Sequence, residues 1–485
     1  MSKAIEGLRP EGIWRWFVEI SRIPRCSKNE AAISRFILDT AKKLGLHATG
    51  DSVGNVVVRK PASPGRENTA GVCLQGHMDM VCEKLKDSPH DFAKDPIRLV
   101  RKGDVIMADG TTLGADNGIA VATCLAIMSD RTLEHGPLEF LFTVDEETGL
   151  TGANNLQPLF VESRTLLNLD SEEEGALYVG CSGGRDSTGT WPLASEAPSA
   201  NMVALQVSVL GLKGGHSGLE IDRGRGNAIK ILCRALSRLA AGGARVVSMN
   251  GGNKHNAIPR EAEAVILVPR AASEQARSAI EELAETVKAE LGAVDPDFSL
   301  ELRDLPKTRR ARVFKRGLQK KLLQTLTAIP HGVMKMSADI PGLVETSTNL
   351  AVIRTERKEI RVVTSQRSSV ASEIDDIAEM VRTVFRMGGA EVSSSHGYPG
   401  WKPDMNSAIL KLARETYRSL FGKEPEVKAI HAGLECGIIG EKYPGMDMVS
   451  FGPTLQWVHT PDERIYIDTV ERFWTFLLAV LKNVR

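Results

Sequence analysis

Short apolar runs alternate with helical patterns over about the first 180 residues of the chain. Ser27 and Glu30 have the spacing of a capping box, which predicts a helix from there to about Leu44. Four apolar runs are predicted to be buried strands, at 55–58, 72–75, 138–144 and 166–169. A helix is predicted between the second and third of them, at about 117–128. Buried strands that alternate with helices indicate an α/β domain with a mostly parallel central sheet, whose chemistry lies at the strand ends.

From about residue 186 the pattern changes to strands with period-two alternation, as in 203–209 and 262–268, with helical patterns between them. A similar succession follows between 313 and 387, which predicts an α+β insert built from two related halves. The α/β character then resumes. The predicted division is a catalytic domain in two parts interrupted by an inserted lid, with the ranges 1–185, 186–397 and 398–485 in chain order.

Composition narrows the class of protein. The 485 residues are enough for at least two domains, and the 61 basic residues equal the 61 acidic ones. A balanced charge gives no global field for nucleic acid or an anionic membrane, and the basic run 307–312 reads as a solvated connection. The N-terminus lacks the apolar core of a signal peptide, and no apolar stretch approaches the roughly 18 residues of a membrane span.

The seven cysteines are scattered, odd in number and show no C-x-x-C pair. We therefore expect neither a structural zinc site nor a disulfide framework, and a reducing cytoplasm is the expected compartment.

Polar residues follow the ends of the apolar runs. His77 and Asp79 end one strand, and residues two apart on a strand face the same side. His77 can then bind a metal while Asp79 orients it, although a polar pair satisfied at a strand end is the alternative. Asp116 directly precedes a helix, where it is either a metal ligand or simply an N-cap.

Three acids, Asp145, Glu146 and Glu147, come directly after a buried strand. Such charges repel and are costly to desolvate, and a bound cation resolves that cost. Asp170 follows the next strand, and His459 comes far later in the chain. Together these residues make a nitrogen and oxygen set suited to zinc, cobalt or manganese, and a bridging carboxylate allows two ions to share one water.

Other hydrolase and nucleotide-binding motifs are missing from the sequence. There is no H-E-x-x-H and no P-loop. The segment 215–219 lacks the last glycine of a G-x-S-x-G elbow, and 224–229 lacks the third glycine of a dinucleotide loop.

The motifs resemble those of the co-catalytic zinc peptidases related to carboxypeptidase G, aminoacylase and carnosinase. The residues that carry the likeness are His77-Met78-Asp79, Gly114-Ala115-Asp116-Asn117-Gly118, Asp145-Glu146-Glu147 and His459, with further matching segments at 90–97, 170–175, 211–218, 256–261, 398–401 and 431–437. The match runs nearly end to end. It implies a zinc-exopeptidase-like catalytic domain interrupted by an α+β lid that serves substrate binding and dimerisation.

The resemblance also implies two zinc ions, with cobalt or manganese as alternatives. Asp116 would bridge them, with His77 and Asp170 on one ion and Glu147 and His459 on the other. A cis peptide bond after Asp116 is implied as well. The remaining implied roles are Glu146 as general base, Asp79 as the supporting acid, His216 as support for the oxyanion, Asn256 and Arg367 for the substrate carboxylate, and Glu435 for its free amino group.

The activity that this resemblance implies is hydrolysis of unblocked dipeptides, preferentially Xaa-His, by a cytoplasmic homodimer. A related tripeptidase and an N-acyl-amino-acid amidohydrolase remain alternatives; a non-catalytic metal-binding protein is disfavoured by the intact ligand set with Glu146. One departure lies beside the late histidine. Trp457-Val458 stand where family members usually have Gly-Pro, and Thr460 replaces the usual serine, which leaves the pocket beside His459 and the histidine preference open.

Overall fold

A computed structural model describes residues 3–306 and 311–485, which form two compact units. Unit 1 comprises the described residues of 1–180, 401–429 and 434–485, and unit 2 comprises those of 181–400 and 430–433. The sequence predicts boundaries at 185/186 and 397/398, whereas the structure divides at 180/181 and 400/401 and also assigns 430–433 to unit 2. Residues 307–310 of the basic run lie outside the described residues.

The elements follow one another in this order. The α-helices are α1 Glu11–Ile20, α2 Ala31–Leu44, α3 Ala115–Ser129, α4 Glu146–Gly149, α5 Thr151–Asn155, α6 Ala228–Ala241, α7 Ser273–Leu291, α8 Arg316–Ala328, α9 Ala371–Met387, α10 Ala408–Phe421, α11 Glu435–Lys442 and α12 Ile467–Asn483, with 3-10 turns at Lys3–Ile5 and Arg270–Ala272. The strands are β1 His47–Gly50, β2 Val56–Lys60, β3 Val72–His77, β4 Leu99–Lys102, β5 Val105–Ala108, β6 Leu138–Thr143, β7 Thr165–Asn168, β8 Ala176–Cys181, β9 Gly183–Pro192, β10 Ser195–Glu196, β11 Met202–Leu210, β12 Gly215–His216, β13 Arg245–Gly251, β14 Ala257–Ile258, β15 Ala262–Pro269, β16 Ser299–Asp304, β17 Val313–Phe314, β18 Gly332–Met336, β19 Val344–Thr355, β20 Glu359–Ser368, β21 Glu391–Ser394, β22 Glu426–Ile430, β23 Asp447–Ser450, β24 Leu455–Gln456 and β25 Arg464–Tyr466.

The central sheet of unit 1 has eight strands in the order β1-β2-β6-β3-β7-β23-β8-β22. Its middle strands are parallel, since β3 pairs in parallel with β6 and β7, and β7 pairs in parallel with β23. The pairs β1–β2, β2–β6 and β8–β23 toward the edges are antiparallel. A smaller antiparallel sheet, β24-β25-β5-β4, belongs to the same unit. The predicted α/β class with a mostly parallel central sheet is confirmed.

The middle strands are apolar because both faces of a parallel sheet are covered. Every residue of β3 and of β6 is buried, and α3 is buried along nearly its whole length and packs on α1. Because β3 and β6 are parallel neighbours with His77 opposite Thr143, their carboxyl ends meet at one edge of the sheet. The polar residues that follow both strands are therefore brought together.

The main sheet of unit 2 is antiparallel, with the order β16-β11-β15-β13-β19-β20-β9-β21 and β18 paired to β19. Residues of α6, α7, α8 and α9 pack with its strands in one hydrophobic core. Trp191 and Phe385 pack edge to face within this core, with ring centroids 5.8 Å apart. The strand and helix patterns predicted for the insert thus fold as an α+β unit.

The predicted capping box is wrong. Helix α2 begins at Ala31, and Ser27 lies outside it because the Ser27 hydroxyl donates to the Asp79 carboxylate at 2.8 Å. Glu30 instead accepts from the backbone N–H of Lys28 at 2.7 Å.

The sequence predicts no disulfide framework, and the structure contains a single disulfide bond among the described residues. Cys26 and Cys82 are bonded, because a parallel bridge between Cys26 and Met80 brings their two segments side by side. The other five cysteines are buried and form no disulfide. Across residues 3–306 and 311–485, none of the helices has both the length and the apolar character needed to span a bilayer.

Candidate functional site

His77 stands at the carboxyl end of β3 and is buried. Its Nε2 lies 3.1 Å from Asp116 Oδ1 and 3.3 Å from Asp170 Oδ1, and its Nδ1 lies 3.2 Å from Asp79 Oδ1. One imidazole nitrogen therefore faces two carboxylates while the other faces a third. This is the arrangement of a metal-binding histidine whose second nitrogen is oriented by an acid.

Asp116 lies between the two histidines. Its Oδ1 is 3.1 Å from His77 Nε2, and its Oδ2 is 3.1 Å from His459 Nε2. The residue sits in a kink at the start of α3, where Asp116 and Asn117 have non-helical backbone angles. It is thus more than a helix N-cap, because each carboxylate oxygen faces a different imidazole.

Glu147 and His459 complete the second half of the cluster. Glu147 Oε2 lies 3.0 Å from His459 Nε2, while Glu147 Oε1 is buried without a hydrogen-bond partner. Asp170 Oδ1, on the His77 side, is likewise buried; His77 Nε2 lies 3.3 Å from it, but the two atoms do not form a hydrogen bond of good geometry. All five predicted metal ligands are therefore brought together in unit 1, and a buried oxygen on each side makes no hydrogen bond.

Asp79 holds the segment that carries the predicted base. Its carboxylate accepts the backbone N–H of Glu146 at 3.1 Å and of Glu147 at 3.3 Å, as well as the Ser27 hydroxyl. Although burial acts to raise it, the hydrogen bond with His77 and these donors lower the pKa of Asp79 to about 2. Asp79 is therefore an ionised anchor for both His77 and the Glu146-Glu147 turn.

The charges of the cluster favour a cation. Burial raises the pKa of Glu146 well above its ordinary value, with Asp170 among the neighbours that raise it further. Burial likewise raises the pKa of Asp170 to about 6, with His77 opposing the shift. Hydrogen bonds to Asp116 and Glu147 raise the pKa of His459 to about 11. Without a metal, protons must neutralise these carboxylates; divalent cations can take their place.

Four groups of side chains within the described residues could each hold a metal ion: Glu30 with Asp79 and Asp145, and three groups that overlap one another. The overlapping groups are His77 with Asp116 and Asp170, Asp116 with Glu147 and His459, and His77 with Glu146 and Glu147. The first two share Asp116 and include every predicted ligand. This mixed imidazole and carboxylate set suits zinc and its neighbours in the first transition row. The donor set and the unpartnered buried oxygens therefore fit divalent metal binding.

Three other predicted site residues, His216, Asn256 and Arg367, lie in unit 2. His216 in β12 pairs with Ala257 of β14, and the backbone N–H of Ser217 donates to the carbonyl of Asn256 at 2.9 Å. Arg367 is buried in β20, where its Nη1 donates to the Tyr398 hydroxyl at 2.9 Å.

His216 is held as a neutral hydrogen-bond donor. Its Nδ1 accepts the backbone N–H groups of Gly218 at 3.2 Å and Leu219 at 3.1 Å, so its remaining proton is on Nε2. Burial, reinforced by the Arg367 charge, lowers the pKa of His216 to about 4. At neutral pH its free Nε2–H can donate but carries no full charge.

Glu435 begins α11 and is completely buried in unit 1. Its Oε2 accepts from Gln75 Nε2 at 2.6 Å and from the Thr143 hydroxyl at 2.7 Å, while its Oε1 has no partner. Burial raises the pKa of Glu435 to about 7. The role of this carboxylate as receptor of the substrate amine stays a prediction.

Sequence reasoning missed three residues that hold the predicted ones. They are Ser27 on Asp79, and Gln75 and Thr143 on Glu435. Gln75 carries a recognisable signal, because a glutamine inside an otherwise apolar strand needs a buried partner. The sequence around Ser27 is misleading, because its spacing to Glu30 predicts a helix cap rather than a bond to Asp79.

The sequence model of peptidase family M20/M25/M40 matches residues 73–483. The chain belongs to the M20/M25/M40 peptidase family. The predicted family resemblance is confirmed, and the matched range contains all five candidate ligands.

Two proteins of known name are similar to this M20 chain over nearly its whole length. The cytosol non-specific dipeptidase of Escherichia coli (strain K12) is 41% identical over 478 residues, which cover 98% of each chain. The crystal structure of aminoacylhistidine dipeptidase from Vibrio alginolyticus matches with a TM-score of 0.92 and 42% identity, covering 99% of this chain and 98% of that one. A Staphylococcus aureus tripeptidase, with a TM-score of 0.57 and 19% identity over 98% and 99% of the two chains, shares the fold.

Two backbone features of the M20 chain lie at the ligands. The peptide bond between Asp116 and Asn117 is cis, as the resemblance implies. Trp457, where family members usually have glycine, has a φ of +60°, and His459 has a φ of +64°. Glycine adopts such angles at little cost, whereas a side chain there is disfavoured. Trp457 is 60% exposed, with Arg464 stacked 5.6 Å from its ring centroid.

Proposed function

We propose that this M20 family member is a metal-dependent dipeptidase that hydrolyses the peptide bond of unblocked dipeptides. The observation that carries this function is the Asp116 carboxylate, whose two oxygens each lie 3.1 Å from a different histidine. A carboxylate placed in this way suits two cations held side by side. The near full-length similarity to the E. coli dipeptidase supports the dipeptide as substrate class.

The donor set fits two divalent ions, and zinc is our first choice because imidazole and carboxylate are its common ligands in catalytic sites. His77 and Asp170 would hold one ion, Glu147 and His459 the other, and Asp116 both. Such ions supply a water of lowered pKa and polarise the peptide carbonyl. Cobalt and manganese accept the same donors and are the alternatives.

The chain's own residues supply proton transfer and orientation. Glu146 takes a proton from the attacking water and passes it to the leaving amine. Asp79 holds the Glu146 backbone in place through the bond to its N–H. His216 donates from Nε2 to the developing oxyanion, since its Nδ1 is already occupied as an acceptor.

Recognition of both ends of a short substrate is assigned to three charged or polar groups of the chain. Arg367, a buried cation whose Nε has no partner, and Asn256 are proposed to bind the substrate carboxylate. Glu435, with its unpartnered buried Oε1, is proposed to receive the free amino group. We further propose Xaa-His dipeptides as preferred substrates, in a cytoplasmic enzyme that dimerises through unit 2. The name of the Vibrio relative supports the histidine preference, and the name of the E. coli relative supports a wider range.

The free amino group of the substrate gives the first test. We expect free dipeptides to be cleaved about 100-fold more efficiently than their N-acetylated forms, because an ammonium paired with a buried carboxylate corresponds to about 3 kcal/mol. Steady-state kcat/KM values for Xaa-His and non-histidine dipeptides, free and acetylated, measure this directly. Glu435→Gln should narrow the difference by slowing cleavage of the free dipeptides.

The same panel, extended by matched tripeptides, separates the alternatives. Faster cleavage of acetylated substrates would indicate an N-acyl-amino-acid amidohydrolase, and faster cleavage of matched tripeptides would indicate a tripeptidase. Either result would contradict the proposed dipeptidase activity.

A further inference from the structure

Glu463 is a buried carboxylate that the proposed reaction does not use. It accepts four consecutive backbone N–H groups from the turn that leads into α3. Its Oε2 binds the amides of Leu113 at 2.8 Å and Gly114 at 3.0 Å, and its Oε1 binds those of Ala115 at 2.8 Å and Asp116 at 3.3 Å. The last of these amides belongs to Asp116, the residue whose carboxylate lies between the two histidines.

Arg25 is buried at the acceptor side of the same turn. Its Nη2 donates to the carbonyl of Gly114, and its Nη1 donates to the carbonyls of Met78 and Asp79, each at 3.0 Å. Burial lowers the pKa of Arg25 to about 10, with Glu463 as the main neighbour opposing the shift, so the guanidinium stays charged near neutral pH. One side chain therefore joins the turn before Asp116 to the segment that follows His77.

The chain makes room for these contacts. A Cβ at Gly114 or at Gly118 would lie 2.5 Å from Arg25 Nη2, and Gly114 also has a φ of +68°. Both glycines of the Gly114–Gly118 motif thus permit the approach of the guanidinium. The turn is therefore held by two buried side chains, Glu463 at its N–H groups and Arg25 at a carbonyl.

Helix capping alone does not account for this arrangement. Asp116 has a ψ of 111° and Asn117 a φ of −105°, so the four bound amides precede the regular part of α3. The contacts fix the non-helical turn rather than the helix that follows. Glu463 also lies only a few residues beyond His459, and its own N–H donates to the carbonyl of Thr460 at 3.0 Å.

We propose that Glu463 and Arg25 are positioning residues that set the orientation of the Asp116 carboxylate between His77 and His459. The hydrogen bonds of Glu463 and Arg25 connect the turn before Asp116 with the segment after His77 and with the segment after His459. This inference rests on the proposed function, because the orientation matters only if Asp116 binds metal from both oxygens. The competing reading is that the pair stabilises the fold without affecting the metal site.

Glu463→Gln tests the proposal with little change in volume. A glutamine has one acceptor oxygen, and its NH2 group would face two of the backbone donors. With the purified protein stripped of metal, we expect zinc binding, measured by chelator competition, to weaken about 10- to 100-fold. We also expect kcat to fall at least about tenfold with KM within about twofold, and the visible spectrum of the cobalt-substituted protein to change.

Two further variants frame the result. Arg25→Lys keeps the charge but loses the fork that reaches three carbonyls, so it should shift the same readouts in the same direction and serves if Glu463→Gln does not fold. Glu471→Gln, at an exposed glutamate of α12, is the matched control and should behave as the wild type. Circular dichroism establishes that each metal-free variant is folded at the temperature of the titrations.

The outcomes distinguish a failure of the positioning role from a failure of the proposed metal-dependent function. A wild type that fails to bind a pair of ions overturns the proposed metal site and the inference with it. The positioning role alone is overturned if the wild type binds two ions and the variants are folded, with zinc affinity and kcat within about twofold of the wild-type values and an unchanged cobalt spectrum. If the variants differ from the wild type only by a lower melting temperature, the positioning role is likewise overturned.

Discussion

Replacing Glu146 with glutamine is expected to lower kcat for dipeptide hydrolysis by about 10³-fold while leaving the metal content unchanged. Glutamine keeps the size of the side chain, and the Glu146 backbone N–H still donates to Asp79. It removes only the carboxylate that accepts the proton of the attacking water. Steady-state kinetics and metal analysis on the same preparation measure the two properties together.

The control for this variant is Glu471→Gln, which changes an exposed glutamate of the same unit and should keep full activity. If Glu146→Gln retained more than about a tenth of the wild-type kcat, proton transfer by Glu146 would be the wrong assignment.

Asp116→Asn carries the second large effect. An asparagine presents one oxygen and one NH2 group, so it cannot offer an acceptor to both histidine sides at once. We expect the bound ions to fall from two per chain to one or none, and kcat to fall at least about 10³-fold. Metal analysis after gel filtration, together with kcat on a free Xaa-His dipeptide, provides the measurement.

Asp170→Asn is a useful comparison, because Asp170 faces only His77 among the two histidines. It should weaken one ion and leave Glu147 and His459 able to hold the other. An Asp116→Asn protein that still bound two ions with the wild-type affinity would refute a bridging role for Asp116.

Much of the site follows from local sequence. His77 and the Asp145–Glu147 acids could be placed at one sheet edge because each follows an apolar run that forms a parallel strand, and parallel neighbours end together. For Asp116 the sequence alone leaves a metal ligand and an N-cap open, and the family resemblance of the Gly114–Gly118 segment is what implies the ligand. In these cases the residue and its neighbours in the chain carry the information.

The remainder depends on contacts between segments far apart in the chain. Glu463 meets amides about 350 residues away, and no periodicity marks a glutamate as their acceptor. The spacing of Ser27 to Glu30 predicts a helix cap, but in the structure the Ser27 hydroxyl donates to Asp79 instead. Cys26 and Cys82 likewise meet only because a bridge aligns their segments.

Trp457 illustrates a backbone conformation that the sequence does not predict. The sequence marks the position as a departure from the usual Gly-Pro, and the structure adds that a left-handed backbone angle is kept there without glycine. Backbone conformation at such a site is set by the neighbouring ligand turn, which the identity of the residue does not disclose.

The most direct test of the account is a metal titration of the metal-free protein while dipeptide hydrolysis is followed. Chelator should abolish activity, and added zinc, cobalt or manganese should restore it in full only when two ions are bound per chain. Full activity in the presence of chelator, or complete recovery with one ion or fewer per chain, would contradict the two-metal site built around Asp116.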